Sequence, residues 1–170
     1  MTRVVWKLFM VLVAVVAFLP ASGTAQQKSL KDQLVGTWVM LSARNVKADG
    51  SSDHIFGPNG KGILIFQQNG RFAFVLINPD VPKFASNNRI AATPEELKAA
   101  YQGSFASFGR YSVDESERSF IFHFEYSTFP NYNGTGQKRY VTAISADEFA
   151  IRSEATPIGG VSEFLLRRDH

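Results

Sequence analysis

The segment from Lys61 to Asn78 constrains the fold more than any other part of the chain. Two β-rich runs, Lys61 to Gln68 and Arg71 to Asn78, flank Asn69-Gly70. That dipeptide tolerates the positive φ angles of a type I′ turn, so the segment is expected to be a β-hairpin. In the second arm the two-residue period of a strand places Phe72, Phe74 and Leu76 on one face and Arg71, Ala73, Val75 and Ile77 on the other. Both faces are largely apolar. Such a strand is expected to be covered on both sides, by a barrel interior and by an inserted helix.

Alternation begins at Val35 to Asn45 and returns at Ala106 to Val113, Arg118 to Tyr126, Gln137 to Ser145, Glu148 to Glu154 and Val161 to Arg168. With the two hairpin arms the count is eight, the smallest common number whose closed interior holds a ligand. Closure also removes exposed sheet edges. The one long connection, Pro79 to Ser104, contains Thr93-Pro94-Glu95-Glu96. Thr93 suits the N-cap, Pro94 the first helical position and Glu96 a capping box, while Gly103 supplies the stop. Leu97, Ala100 and Tyr101 share one side of the short helix so defined, which is read as a lid or flank of the barrel mouth, with outer packing as the alternative. The expected fold is all-β: an eight-stranded antiparallel up-and-down barrel with one short helix inserted between strands three and four.

Residues 1–25 follow the order of a secretory signal: Arg3 and Lys7, the apolar run Leu8 to Leu19, then Pro20 to Ala25. Cleavage is expected after Ala25, leaving residues 26–170 as one exported domain, periplasmic or secreted, with Gln26 to Gln33 a loose polar lead-in. An uncleaved anchor is the alternative, but twelve apolar residues fall short of the roughly 20 that cross a bilayer. No stable membrane span is therefore expected once the signal is removed. The sequence has no cysteine, so an exported domain of this size must rely on its core rather than on disulfides. Losing Arg3 and Lys7 lowers the formal charge from +3 to +1. A near-neutral surface without Lys/Arg clusters gives no footprint for nucleic acid, which is excluded as a partner.

Leu34-Val35-Gly36-Thr37-Trp38, followed by eight strands, resembles the opening of the lipocalin superfamily. That resemblance implies Trp38 at the closed end of the barrel under a basic residue of the last strand, Arg167 or Arg168, in a cation-π contact of about 0.5–2 kcal/mol. Most of residues 34–168 is similar to the small bacterial and fungal lipocalin-like domains. The residues that carry this likeness are Gly57-Pro58-Asn59-Gly60-Lys61-Gly62, Gly109-Arg110-Tyr111, His123, Pro130-Asn131, Gly134-Thr135 and Gln137-Lys138-Arg139. Tyr132 stands where that family often has Trp. The resemblance implies a calycin-type barrel, among whose members are ligand carriers and cyclase-like enzymes.

For chemistry the residues that stand out are His123, Glu125, Tyr111, Tyr132 and Arg139. The strand period puts Phe120, Phe122, Phe124 and Tyr126 on one face and His123 with Glu125 on the other. If the His123 face is inward, its imidazole is a candidate acid/base, with Arg139 or Tyr111 stabilising negative charge on an apolar substrate, as in a cyclase or isomerase. If it is outward, those residues are structural. Tyr111 and Tyr132 offer hydroxyls to a ligand or serve as wall. A buried Arg139 needs Glu125 or an acidic ligand as partner. No cofactor is expected, and no metal, because His54, His123 and His170 are scattered. The leading expectation is a barrel that binds a small hydrophobic molecule, with or without an acidic end, between phenylalanines, of which there are fifteen, two in the signal. An enzyme on the same fold, or a filled barrel that binds a partner, are the other two classes.

Overall fold

In the computed structural model, residues 28–154 and 156–170 are described; the signal expected at residues 1–25 lies outside them. Nine antiparallel strands form one sheet: β1 (Gly36–Val46), β2 (Ser52–His54), β3 (Lys61–Phe66), β4 (Arg71–Ile77), β5 (Ser104–Asp114), β6 (Ser119–Ser127), β7 (Gly136–Ile144), β8 (Glu148–Ser153) and β9 (Val161–Arg168). Neighbours in space follow chain order, and β1 pairs with both β3 and β9, which closes an eight-stranded barrel. The ninth strand, β2, is a three-residue extra that pairs only with the far end of β1. All three of its residues are exposed, so no apolar alternation marks it in the sequence.

The β3–β4 hairpin forms in the expected place but with a different turn. Gln67 donates to the Arg71 carbonyl at 2.8 Å and Gly70 to the Gln67 carbonyl at 3.0 Å. Only Gly70, at φ 83°, has the positive φ that a type I′ turn requires of two residues. The loop is therefore Gln68-Asn69-Gly70. Phe72, Phe74 and Leu76 face inward and are buried. The outer face of β4 is not covered as expected: Ala73 and Val75 are half-exposed and Ile77 is exposed.

Helix α1 (Leu30–Leu34) replaces the expected loose lead-in. Leu30 and Leu34, one turn apart on one face, are both buried, while Ser29 caps the Asp32 N–H. The Glu115 carboxylate, in the β5–β6 turn, accepts from the Leu30 and Lys31 N–H groups at 2.7 and 3.1 Å. This plug seals the end of the barrel where Trp38 lies fully buried. The Trp38 indole donates to the Leu34 carbonyl at 2.8 Å, and the Arg168 guanidinium lies over its ring at 4.0 Å. Arg168 also donates to the carbonyls of Ala146, Val35 and Gln33. Of the two expected arginines it is thus Arg168 that covers Trp38, while Arg167 points outward. A Cβ on Gly36, whose φ is 136°, would stand 2.5 Å from Arg168 Nη1. Glycine there lets the cation reach the ring.

Helix α2 (Pro94–Gln102) follows β4 and carries the full capping box between Thr93 and Glu96. None of its residues is buried, so it is held by its ends rather than by a packed face. Substitution Thr93→Ala should cost the helix about 1 kcal/mol. Because the helix contributes little to the core, the loss should appear as faster amide exchange at Glu96 and Leu97, with global unfolding unchanged. Among the described residues no helix is long and apolar enough to cross a membrane.

Candidate functional site

Inward residues fill the sealed half of the barrel with aromatic rings. Phe66 sits at the centre, edge-on to Tyr111 at 4.8 Å and Phe120 at 5.3 Å, and stacked on Phe122 at 5.9 Å. Towards the other end a cavity of about 430 Å³ opens, within the range that holds a small organic ligand. Phe74 and Leu76 of β4, Phe105 of β5 and Phe122 and Phe124 of β6 form one wall. Phe164 and Ser162 of β9 stand among the lining residues of the other strands. Tyr101 and Gln102 of α2, Phe129 and Tyr132 after β6, and Pro157 and Ile158 after β8 form the rim.

Among the described residues one cation lies in this apolar space. Arg139, on β7, is only 8 % exposed, and its guanidinium lies 5.8 Å from the Phe122 ring centre. Burial pushes its pKa down to about 10, with nearby Tyr132 opposing the shift, so it stays charged at neutral pH. A guanidinium has five N–H donors. Nη1 donates to the Lys138 carbonyl at 2.9 Å, and Nη1 and Nη2 share the Gln137 Oε1 at 3.3 and 3.4 Å. The Nε–H has no acceptor among the described residues. Nε–H and the second Nη2–H lie on one edge of the fork, the edge that grips both oxygens of a carboxylate.

Glu125 does not supply that carboxylate. It lies on the outer face of β6, where it accepts from Arg71 at 2.9 and 3.3 Å and approaches Arg110 at 3.9 Å. Arg71 and Arg110 are direct cross-strand neighbours, so Glu125 relieves a like-charge pair. His123 shares the outer face, exposed, with Nε2 2.8 Å from Ser112 Oγ. The inward reading of His123 is therefore corrected: the phenylalanine face takes the interior, and the His123 imidazole lies outside the cavity. Tyr126 departs from the phenylalanine face. The β5–β6 register shifts past Gly109, leaving Glu125 as the extra residue and turning Tyr126 outward, 63 % exposed. A Cβ on Gly109 would stand 2.1 Å from the His123 carbonyl oxygen, so this bulge requires glycine. Tyr111 is buried away from the cavity with its hydroxyl on the Gln67 carbonyl at 2.9 Å. It is core rather than ligand site. Of the five candidates the structure brings together only Tyr132 and Arg139.

Comparison with known families agrees with this architecture. The family model of the lipocalin-like domain matches residues 35–161, most of the barrel. The chain belongs to the lipocalin-like domain family. No curated protein matches the chain. Among solved structures, a redesigned β-barrel is similar at 13 % identity and TM-score 0.43, covering 85 % of this chain and 98 % of its own. A de novo designed fluorescence-activating β-barrel is similar at 15 % identity and TM-score 0.42, covering 84 % and 99 %.

Within this lipocalin-like domain the residues Gln137-Lys138-Arg139 acquire separate tasks. Gln137 and the Lys138 carbonyl hold the guanidinium, and Arg139 carries the charge into the cavity. Tyr132 stacks on Phe124 at 5.0 Å and meets Phe129 edge-on at 5.0 Å, fixing the rim beside Arg139. Tyr101 stands on the helix expected as a lid or flank of the mouth, whereas Phe105, Ile158 and Ser162 were missed. For Ser162 the signal was present: once Arg168 is placed over Trp38, the strand period turns Leu166, Phe164 and Ser162 inward. Substitutions His123→Ala and Glu125→Gln should leave the affinity for a cavity ligand within about twofold, since both side chains lie outside the barrel. Glu125→Gln should cost no more than about 1 kcal/mol of stability, as expected for a partly exposed ion pair. Titration of both variants with one ligand checks this.

Proposed function

We propose that this chain is an exported binding protein for a small apolar molecule with an acidic end, the acid held by Arg139 and the body by the phenylalanine wall. The observation that carries the reading is the buried guanidinium whose carboxylate-gripping edge has no partner among the described residues. A buried cation costs several kcal/mol unless paired. An anionic ligand removes that cost on binding, whereas a neutral one leaves it in place. Burial of about ten methylenes adds roughly 8 kcal/mol gross, before ordering and immobilisation costs. Export is supported by the charged, apolar and small-residue regions of residues 1–25, and the mature chain is expected to begin at Gln26.

Decanoate and methyl decanoate separate charge from apolar bulk. The mature protein should bind decanoate about tenfold or more tightly than the ester, as read by calorimetry at pH 7.5. Equal affinities would remove Arg139 from the account, and no binding of either would remove the carrier reading.

A further inference from the structure

We propose that Ser162 reads a second oxygen on the same ligand, so that the preferred class is an apolar acid with an oxo or hydroxyl group away from the carboxylate. The inference rests on the acid-binding reading above. One row of inward polar residues crosses the barrel: Arg139 pairs with Ser153, and Ser162 pairs with Asn45. Between the two pairs the serines meet. The Ser162 N–H donates to Ser153 Oγ at 2.8 Å, and the two hydroxyl oxygens are 3.0 Å apart.

Two hydroxyl hydrogens share this site, yet only one can lie between the oxygens. The other is unspent, since neither hydroxyl has a further acceptor among the described residues. Which serine keeps it depends on rotation of the pair. Ser162 lines the cavity and Ser153 does not, so an acceptor in the cavity selects the arrangement in which Ser153 donates to Ser162 and Ser162 donates to the ligand. Both serines are almost fully buried, at 4 % and 2 % exposure. A plain alkyl chain against Ser162 leaves that donor dry and unpaired, and sites built to pair a polar group discriminate against ligands that lack it. Arg139 and Ser162 lie two strands apart, about 10 Å across the sheet at the usual strand spacing. The second oxygen therefore belongs well along the ligand body rather than beside the carboxylate. Tyr132, Phe122 and Phe124 offer an apolar surface on the other wall.

The test uses decanoate and its series of mono-oxo isomers on the mature wild type, Ser162→Ala and Arg139→Met. Ser162→Ala keeps the backbone N–H bond to Ser153, and a cooperative thermal unfolding transition without ligand serves as the control for folding. Its decanoate affinity should equal or exceed that of the wild type, since the unpaired hydroxyl is gone. At least one mid-chain or distal oxo isomer should bind the wild type about fivefold or more tightly than decanoate, and Ser162→Ala should abolish that gain. If no isomer gains, or if the gain survives Ser162→Ala, the assignment of Ser162 is overturned while acid binding through Arg139 stands. If Arg139→Met leaves every acid unaffected, the acid-binding reading itself fails and the second subsite falls with it.

Discussion

Substitution Arg139→Met should weaken decanoate binding by about a hundredfold while leaving the barrel as stable as before or more stable. The two effects have one cause. In the free protein Arg139 is a charge taken from water and, among the described residues, given only the Gln137 side chain, the Lys138 carbonyl and a ring face. Replacement of buried charges by apolar side chains of similar size is neutral or stabilising by about 1–4 kcal/mol. In the complex the same charge meets a carboxylate, and removal of one partner of a buried, hydrogen-bonded charge pair costs about 2–5 kcal/mol of affinity. The pH dependence follows from the direction of the pKa shift. Because the folded-state pKa is lowered to about 10, well below the ordinary arginine value, the folded chain holds this proton less well than the unfolded chain. The resulting instability is fully present below about pH 10 and fades as pH rises from there toward the ordinary arginine pKa. The stability gain of Arg139→Met should therefore be level from neutral pH to about 10. Thermal unfolding and calorimetry on the two proteins check both halves; a destabilised variant with intact decanoate affinity would mark Arg139 as scaffold.

Substitution Trp38→Ala should remove about 3–5 kcal/mol of stability, the cost of truncating a large buried aromatic side chain. Trp38 is fully buried, packs against Phe149 at 5.1 Å and carries the Arg168 guanidinium on its other surroundings. Alanine leaves a cavity, strips the Leu34 carbonyl of its indole donor and leaves Arg168 without its ring. Arg168 also holds the Gln33 and Val35 carbonyls at the end of α1, so with both the indole and the seated guanidinium lost, α1 should exchange its amides early. At roughly 3 °C per kcal/mol for a domain of this size, the melting temperature should fall by about 10–15 °C. Below that temperature decanoate affinity should be retained, because the ligand cavity opens at the other end of the barrel. Retained stability would mean that the sealed end is not where the fold is held.

The barrel was legible because its strands alternate between faces that differ in apolar content. On β6 the phenylalanines at 120, 122 and 124 outweigh Ile121, His123 and Glu125, and the burial follows that difference. Tyr126 was misplaced because a bulge adds one residue to the strand, and nothing in the local composition of Phe124-Glu125-Tyr126 marks the extra residue. Gly109, on the neighbouring strand, is its only sequence trace, and its meaning appears only when the His123 carbonyl is seen against it. Helix α2 was legible from Thr93, Pro94 and Glu96, since capping is local chemistry. The five residues of α1 were not, because Leu30 and Leu34 make too short an apolar pattern to separate from a loop. The site was half legible. Arg139 needed an acidic partner on charge grounds alone, but its partner's absence depends on Glu125 facing Arg71 across the outer surface, a long-range pairing that strand periodicity does not encode.

The most direct measurement is a crystal structure of the mature protein with decanoate. The carboxylate should lie on the Nε–Nη2 edge of Arg139, both oxygens within about 3 Å of nitrogen, with the alkyl chain against Phe122, Phe124 and Phe74. A decanoate bound tail-inward, with its carboxylate in solvent at the rim beside Ile158 and Tyr101 and Arg139 untouched, would contradict the account.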